Sequence, residues 1–255
     1  PEAARKMLAV LPFENLGSPD DEYFADGITE EITTSLAGLS GLGVISRTSS
    51  MQYKKTEKDL KQIGRELNVD YVLEGTIRWE KTGAENRVRI SPQLIRVSDD
   101  SHVWANHFDA VLTDVFQLQS AIANEVATAL DVTLRQEEQE VLSRKLDVDP
   151  RAYDYYLRGK QYFSVARHQQ REMQLAEMMF LKAIELAPDF AQAYAELGAL
   201  YTEMHWDLND PSPQRLDSAK KVINVAMRLA PNAPEAHQAL GWYYYHGLHD
   251  YNEAL

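Results

Sequence analysis

The sequence predicts two unlike parts. An α/β unit with a mixed sheet in the order βαβαβββα is followed by an all-α unit of stacked helical hairpins. Three observations predict it. Up to about residue 130, short apolar runs alternate with stretches of helical apolar spacing, the signature of strands interleaved with helices. Beyond Arg151 the strand-like runs stop. In that second part Gly159, Gly198 and Gly241 recur at intervals of 39 and 43 residues, each followed three residues later by a tyrosine: Tyr162, Tyr201 and Tyr244.

The elements follow in order. Met7 to Leu11 is an apolar run stopped by Pro12, as a buried strand would be. Ser18 to Gly27 is rich in Pro, Gly and acids and reads as a loop. Helical spacing starts at Ile28 and continues through Ile32, Leu36 and Leu39, with Asp26 as N-cap and Glu30 and Glu31 favoured by the helix dipole. Gly41 and Gly43 are expected to end it, and Leu42 to Ser46 to form the second strand. Leu60, Ile63, Gly64 and Leu67 mark a second helix closed by Asn68. Val69 to Trp79 and Arg87 to Val97 are strands joined by a turn at Thr82 to Asn86. Pro92 points to an edge position or a bulge. After the turn at Ser98 to Ser101, a fifth strand is expected over His102 to Asp109. A third helix starts near Asp114 with Phe116, Ile122, Val126 and Leu130 inward, and the pattern allows one long helix from Val111 to about Leu142. Gln136 to Glu140 is polar on every side, and Pro150 suits a helix beginning at Arg151. The expected boundaries are thus residues 1–135 for the α/β domain, 136–150 for a helical linker and 151–255 for the repeats.

Several strings in the first part resemble a known family. They are Ala9-Val10-Leu11-Pro12-Phe13-Glu14-Asn15-Leu16, Tyr23 through Ile32, Val44-Ile45-Ser46-Arg47-Thr48-Ser49, Asp70-Tyr71-Val72-Leu73-Glu74-Gly75, Arg87-Val88-Arg89-Ile90 and Gln93-Leu94-Ile95. Over residues 7 to about 134 they are similar to the TolB amino-terminal-like (FlgO-like) domain. That resemblance implies a bacterial signalling protein in which the domain precedes tetratricopeptide repeats and follows an adenylate cyclase, a kinase or a winged-helix domain. It also implies a packing role for His102 and Trp104, which match an H-x-W motif of the family.

The second part resembles the tetratricopeptide (TPR) repeat. One copy carries Gly159, Tyr162, Ala176, Phe180, Ala183 and Pro188, and the next carries Leu197, Gly198, Tyr201, Ala219, Ala226 and Pro231. A third opens at Leu240, Gly241 and Tyr244. The family period is about 34 residues, so each complete copy holds an insertion, placed at Ser164–Arg171 and His205–Arg215. About three repeats are needed to bury their apolar faces, so the array is expected to continue past Leu255. The start at Pro1 likewise suggests a chain cut from a longer one.

Composition narrows the function. The 255 residues carry a net charge of −13, with −10 in residues 1–150 and −3 in the rest. Such a surface repels phosphate backbones and argues against nucleic-acid binding by this segment. No apolar run approaches the roughly 20 residues of a membrane span. With no cysteine, disulfides, thiolate nucleophiles and Cys-ligated zinc are excluded, and the compartment stays undecided between cytoplasm and periplasm. No phosphate-binding glycine loop or nucleophile elbow occurs.

The candidate sites are weighed on chemistry. The acids Asp20, Asp21, Glu22 and Asp26 lack EF-hand spacing and read as a solvated loop with a helix cap. His102 and His107, five positions apart on one strand, face opposite sides and make no shared ligand set. Arg47, at a strand end where α/β domains bind ligands, is a candidate for an anion or carboxylate, with Tyr71 beside it. Among the repeat aromatics Tyr156 and Tyr201, with His205, are the candidate anchors for a partner in a helical groove. No catalytic, cofactor or metal set is assigned. The expected function is a non-catalytic interaction module whose TPR surface holds a protein or peptide. The alternative is a small-ligand or anion sensor relayed through the repeats, and a hydrolase or transferase would need a nucleophile–base pair that the sequence does not display. Homo-oligomerisation stays open.

Overall fold

The computed structural model describes residues 5–80, 87–111, 115–143, 148–166, 169–207 and 210–254. The chain divides into two compact units, Pro1–Asp147 and Val148–Leu255. The turn expected at Thr82 to Asn86 lies outside the described residues.

The first unit is built on a mixed sheet. Its strands are β1 (Lys6–Val10), β2 (Glu14–Asn15), β3 (Leu42–Val44), β4 (Tyr71–Glu80), β5 (Arg87–Arg96), β6 (Ser101–Ala105) and β7 (Phe108–Val111). The order is β3-β1-β4-β5-β6, with β2 also on β4 and β7 also on β5. β1 runs parallel to both neighbours: Leu8 stands opposite Val44 on one side and Tyr71 on the other. β4 and β5 form a long antiparallel ladder from Tyr71↔Arg96 to Glu80↔Arg87. The fifth strand expected at His102 to Asp109 is two strands, β6 and β7, with Asn106 and His107 between them. Pro92 is therefore not on an edge. It sits in β5 where the neighbouring ladder passes from β7 to β6, so its missing N–H falls at a natural gap.

Helices cover both faces. α1 (Glu22–Ala37) buries Phe24, Ile28, Ile32 and Leu36 completely and packs on β1 and β3. It starts six residues before the expected Ile28, because Tyr23, Phe24 and Ala25 already belong to its buried face. Asp26 thus lies inside the helix and not at its cap. Gly38, not Gly41 or Gly43, forms the C-cap, and Gly43 lies in β3. α4 (Val115–Ala129) packs beside α1 with Ile122 and Val126 fully buried. The opposite face carries α3 (Leu60–Leu67). Its Ile63 joins Ala9, Leu11, Val69 and Val72 in a second core cluster, and strand alternation turns Leu8 and Val10 to the α1 side. Asn68 ends α3 in the left-handed conformation, φ 53°, as its position suggested. A helix not foreseen, α2 (Arg47–Met51), is capped by Ser46, whose hydroxyl accepts from Ser49 N–H. The long helix expected over Val111–Leu142 is broken: Asp131 turns at φ 48° and α5 (Gln136–Ser143) follows. Glu138 of α5 accepts from the backbone N–H groups of Ser40 and Arg135, at 2.8 Å each.

The second unit consists of α6 (Pro150–Val165), α7 (Gln170–Leu186), α8 (Ala191–Trp206), α9 (Pro213–Leu229) and α10 (Pro234–Trp242), which continues into a π-helical turn at Tyr243–Gly247. Pro150 occupies the first turn of α6 behind the Asp149 cap. α6 packs on α7, α8 on α9, and α7 on α8. The helices approach closely because the crossing points are small: Ala176, Ala183, Ala219 and Ala226 have no exposed surface. Gly159 leaves room for the Phe180 ring, which an added Cβ would meet at 2.5 Å, and Gly198 does the same for Ile223. Tyr153, Tyr156, Phe180 and Phe190 fill the remaining volume.

Candidate functional site

A cleft in the first unit follows from its strand order. The chain leaves β1 through α1 to β3, then crosses back through α2 and α3 to β4 on the other side of β1. α3 covers only the Ala9–Val72 end of its sheet face. Further along, at the carboxyl end of β1, a cleft of about 710 Å³ opens between the sheet and the loop joining α2 to α3. Glu74 and Thr76 of β4 and Gln93 of β5 reach its floor, Leu60 and Ile63 of α3 form an apolar wall, and Tyr53, Lys54, Lys55 and Lys58 line the rim. Glu74 and Gln93 are cross-strand partners. Crevices at the carboxyl ends of parallel strands are the usual ligand position in such sheets.

The rim loop is locally determined. Thr56 N–H donates to Tyr53 C=O, Lys55 adopts a left-handed backbone (φ 59°), and Asp59 caps α3 by accepting from Gln62 N–H at 2.7 Å. Its charges divide into satisfied and free. Lys54 Nζ donates to both Asp26 oxygens (2.6 and 2.7 Å) and lies 2.9 Å from Glu22. Burial opposes its charge, but these carboxylates outweigh it and hold Lys54 above the usual lysine range, while Glu22 is drawn below its own. Lys58 Nζ donates to both oxygens of Glu66, which also accepts from Tyr53 Oη and Gln62 Nε2. Those donors, Lys58 first, hold Glu66 down to about 2. Lys55 is different: its side chain is 81% exposed and its Nζ stands 3.9 Å from Glu22, a carboxylate already held by Lys54. On the floor, burial pushes Glu74 above the ordinary glutamate range, with His102 pulling weakly the other way.

The residues singled out from sequence sit elsewhere. Arg47 opens α2, and its Nε lies 3.1 Å from Glu30 Oε2, too bent for a hydrogen bond. Tyr71 begins β4 opposite Arg96, its cross-strand partner. Neither lines the cleft, and the structure does not bring the two to a shared pocket. Of the acidic cluster, Glu22 and Asp26 bind Lys54 and Asp21 is buried. His102 and His107 are exposed, so the packing role implied for His102 is not what the structure gives it, whereas Trp104 is partly buried and donates to Glu125. In the second unit Tyr156 is 1% exposed, enclosed by Tyr153, Phe180 and Phe190, and offers no surface to a partner. Tyr201 is also buried: the Arg215 guanidinium lies 4.6 Å from its ring, and burial pushes its phenol upward. His205 Nδ1 is 3.2 Å from Ser212 C=O. The exposed aromatics are Trp206, Trp242, Tyr245 and Tyr251, with Trp206 set between the His246 and His249 rings. The cleft had one sequence signal that went unread: residues 47–65 hold six basic and two acidic side chains in an otherwise acidic unit.

Comparison with known proteins agrees with a bacterial regulatory context. Residues 4–125 match the family model of the HilA/YgeH-like transcriptional regulator, second domain. Over 239 residues the chain is 36% identical to "Putative adenylate cyclase 3" of Rhizobium meliloti (strain 1021), an alignment that takes in 93% of this chain and 40% of that protein. The chain therefore spans less than half the length of that relative. Among solved structures, TolB from Acinetobacter baumannii is similar at 15% identity and a TM-score of 0.39, covering 52% of this chain and 30% of that one. A PelC dodecamer from Paraburkholderia phytofirmans is similar at 19% identity and a TM-score of 0.36, covering 52% and 90%. No described helix is long and apolar enough to cross a membrane.

Proposed function

We propose that this chain is a non-catalytic regulatory segment of a bacterial signalling protein, and that its second unit is a TPR array holding a protein or peptide partner. The observation that carries the reading is the repetition within α6–α9. The same glycine–bulky crossing occurs at Gly159–Phe180 and at Gly198–Ile223, each in the first helix of a pair against the second. Stacked pairs of this kind make extended binding surfaces. The match to an adenylate cyclase over 93% of this chain supports a place beside a signalling domain.

Burial redirects where the partner would be held. Tyr156 and Tyr201 pack inside, so the contacts fall to exposed side chains such as Trp206 and Trp242, and to Met178 and Leu181 on α7. The test is capture from a bacterial lysate by the whole chain, in parallel with Trp206→Ala and Met178→Asp variants matched by circular dichroism. A protein retained by the wild type and lost with one of these variants is expected. Retention indifferent to both, or no retained protein, overturns the reading. The cleft of the first unit favours a second reading, in which that unit senses a small ligand.

A further inference from the structure

The cleft beneath Lys55 combines features that together define a ligand. Its volume, about 710 Å³, is within the usual range for small-molecule sites of roughly 300–1,000 Å³. One wall, Leu60 and Ile63 with Leu11 behind, is apolar. The charged groups on the other sides are not equivalent. Lys54 is neutralised by Asp26 and Glu22, and Lys58 by Glu66. This leaves one cation at the mouth, Lys55, whose nearest acid is already shared. It also leaves two lining carboxylates, Glu14, which is exposed, and Glu74 on the floor, with neither of which a lysine or arginine among the described residues is paired; only Glu74 is half-buried. A half-buried carboxylate with no ion pair, felt only weakly by His102, is unfavourable until a donor reaches it.

We propose that this cleft binds a free α-amino acid, its carboxylate on Lys55, its ammonium on Glu74 and its side chain against Leu60 and Ile63. Other small ligands answer only half of the site. Inorganic phosphate or a simple carboxylate satisfies Lys55 but adds repulsion at Glu74. An amine satisfies Glu74 and leaves Lys55 with only the shared Glu22, 3.9 Å away. A zwitterion carries a group of the right sign for each, and its ammonium supplies a donor for the floor carboxylate. The inference deepens the small-ligand reading of the first unit and is independent of partner binding by the second.

The experiment is isothermal titration of the whole chain with each of the twenty common amino acids, with acetate, phosphate and methylammonium as half-ligands. At least one amino acid is expected to bind, and Glu74→Gln and Lys55→Gln are each expected to weaken it tenfold or more. Arg47→Gln, outside the cleft, should leave affinity unchanged, and circular dichroism checks the fold of all three. Binding of an amino acid that survives both cleft substitutions overturns the proposal. If acetate or phosphate binds as well as any amino acid and Glu74→Gln has no effect, the zwitterion assignment fails while the small-ligand reading stands. If none of the probes binds, both fail.

Discussion

The two units solve the problem of a core in opposite ways. The sheet unit joins residues far apart in sequence, as where Leu8 stands between Val44 and Tyr71, and fills its interior with large aliphatic and aromatic side chains such as Phe24, Ile28, Ile32 and Ile77. The helical unit joins neighbours in sequence, α6 to α7 and α8 to α9, across short connections, and reduces side chains at the crossings to glycine and alanine. Non-local pairing requires loops to close before contacts form, so the sheet unit is expected to fold more slowly. The difference also separates their vulnerabilities. Truncating a buried aromatic probes the first kind of core, and enlarging a crossing glycine probes the second.

The largest effect should come from truncation in the sheet unit. Phe24 has no exposed surface and packs 4.6 Å from the Trp79 ring, so Phe24→Ala should cost about 3–5 kcal/mol in urea unfolding. The loss should appear in the transition that carries the sheet signal. A cost below about 1 kcal/mol would mean that the site collapses freely and would weaken the contrast. Enlargement in the helical unit comes next. Gly198→Val places a branched side chain against Ile223 and should cost about 1–3 kcal/mol by overpacking, while Gly38→Val at the exposed cap of α1 should cost less.

A polar link centred on Arg215 supplements the apolar crossings of the helical unit. Arg215 donates to Asp210 (2.8 Å) and to Glu177 of α7 (2.9 Å) and stacks on Tyr201 of α8, which ties consecutive helix pairs together. Arg215→Met keeps the stem but removes the donors, and should cost about 1–2 kcal/mol. A double-mutant cycle with Glu177→Gln isolates the bridge between pairs. Zero coupling would reduce Arg215 to a surface residue and leave the crossings alone to stack the helices.

The same contrast explains what could be read from the sequence. Asn68 and Pro150 were legible because one residue's backbone preference decides each boundary. Gly159, Phe180 and the buried alanines were legible because helix crossings repeat. The start of α1 was hidden: Pro19, Asp20 and Asp21 look like loop, and only the sheet beneath tells that Tyr23 and Phe24 are inward. The break after Leu130 was also hidden, since Asp131 adopts a left-handed turn with no glycine or proline to announce it. The candidate site was the least legible. Lys55, Glu74 and Leu60 come from a loop, a strand and a helix, and only the crossover from β3 to β4 brings them together. Tyr156 and Tyr201 misled for the reverse reason: an aromatic at repeat spacing fits core and groove alike, and burial alone decides.

The smallest expected effects lie at the cleft and behind its rim, where Glu74 on the floor and Glu66, which holds Lys58 and Tyr53, should respond to pH with opposite sign. Glu66 is held down to about 2 by Lys58, Tyr53 and Gln62. Its folded form prefers ionisation, so its contribution is present above the ordinary glutamate range and is lost as pH falls from about 4.5 toward 2. Glu74 is raised by burial, so ionisation costs stability at neutral pH, and the cost disappears as pH falls through its folded value. Glu66→Gln should therefore lower stability at pH 7 and flatten the acid limb. Glu74→Gln should raise stability slightly at pH 7 and change little at low pH. Urea midpoints at pH 3, 5 and 7 separate the two. A destabilising Glu74→Gln at pH 7 in ligand-free protein would mean that the carboxylate is already satisfied within the fold, which would remove the vacancy that an ammonium ligand would fill. With a saturating amino acid present, the sign at pH 7 should reverse, because the ligand then stabilises the ionised Glu74 that the variant lacks.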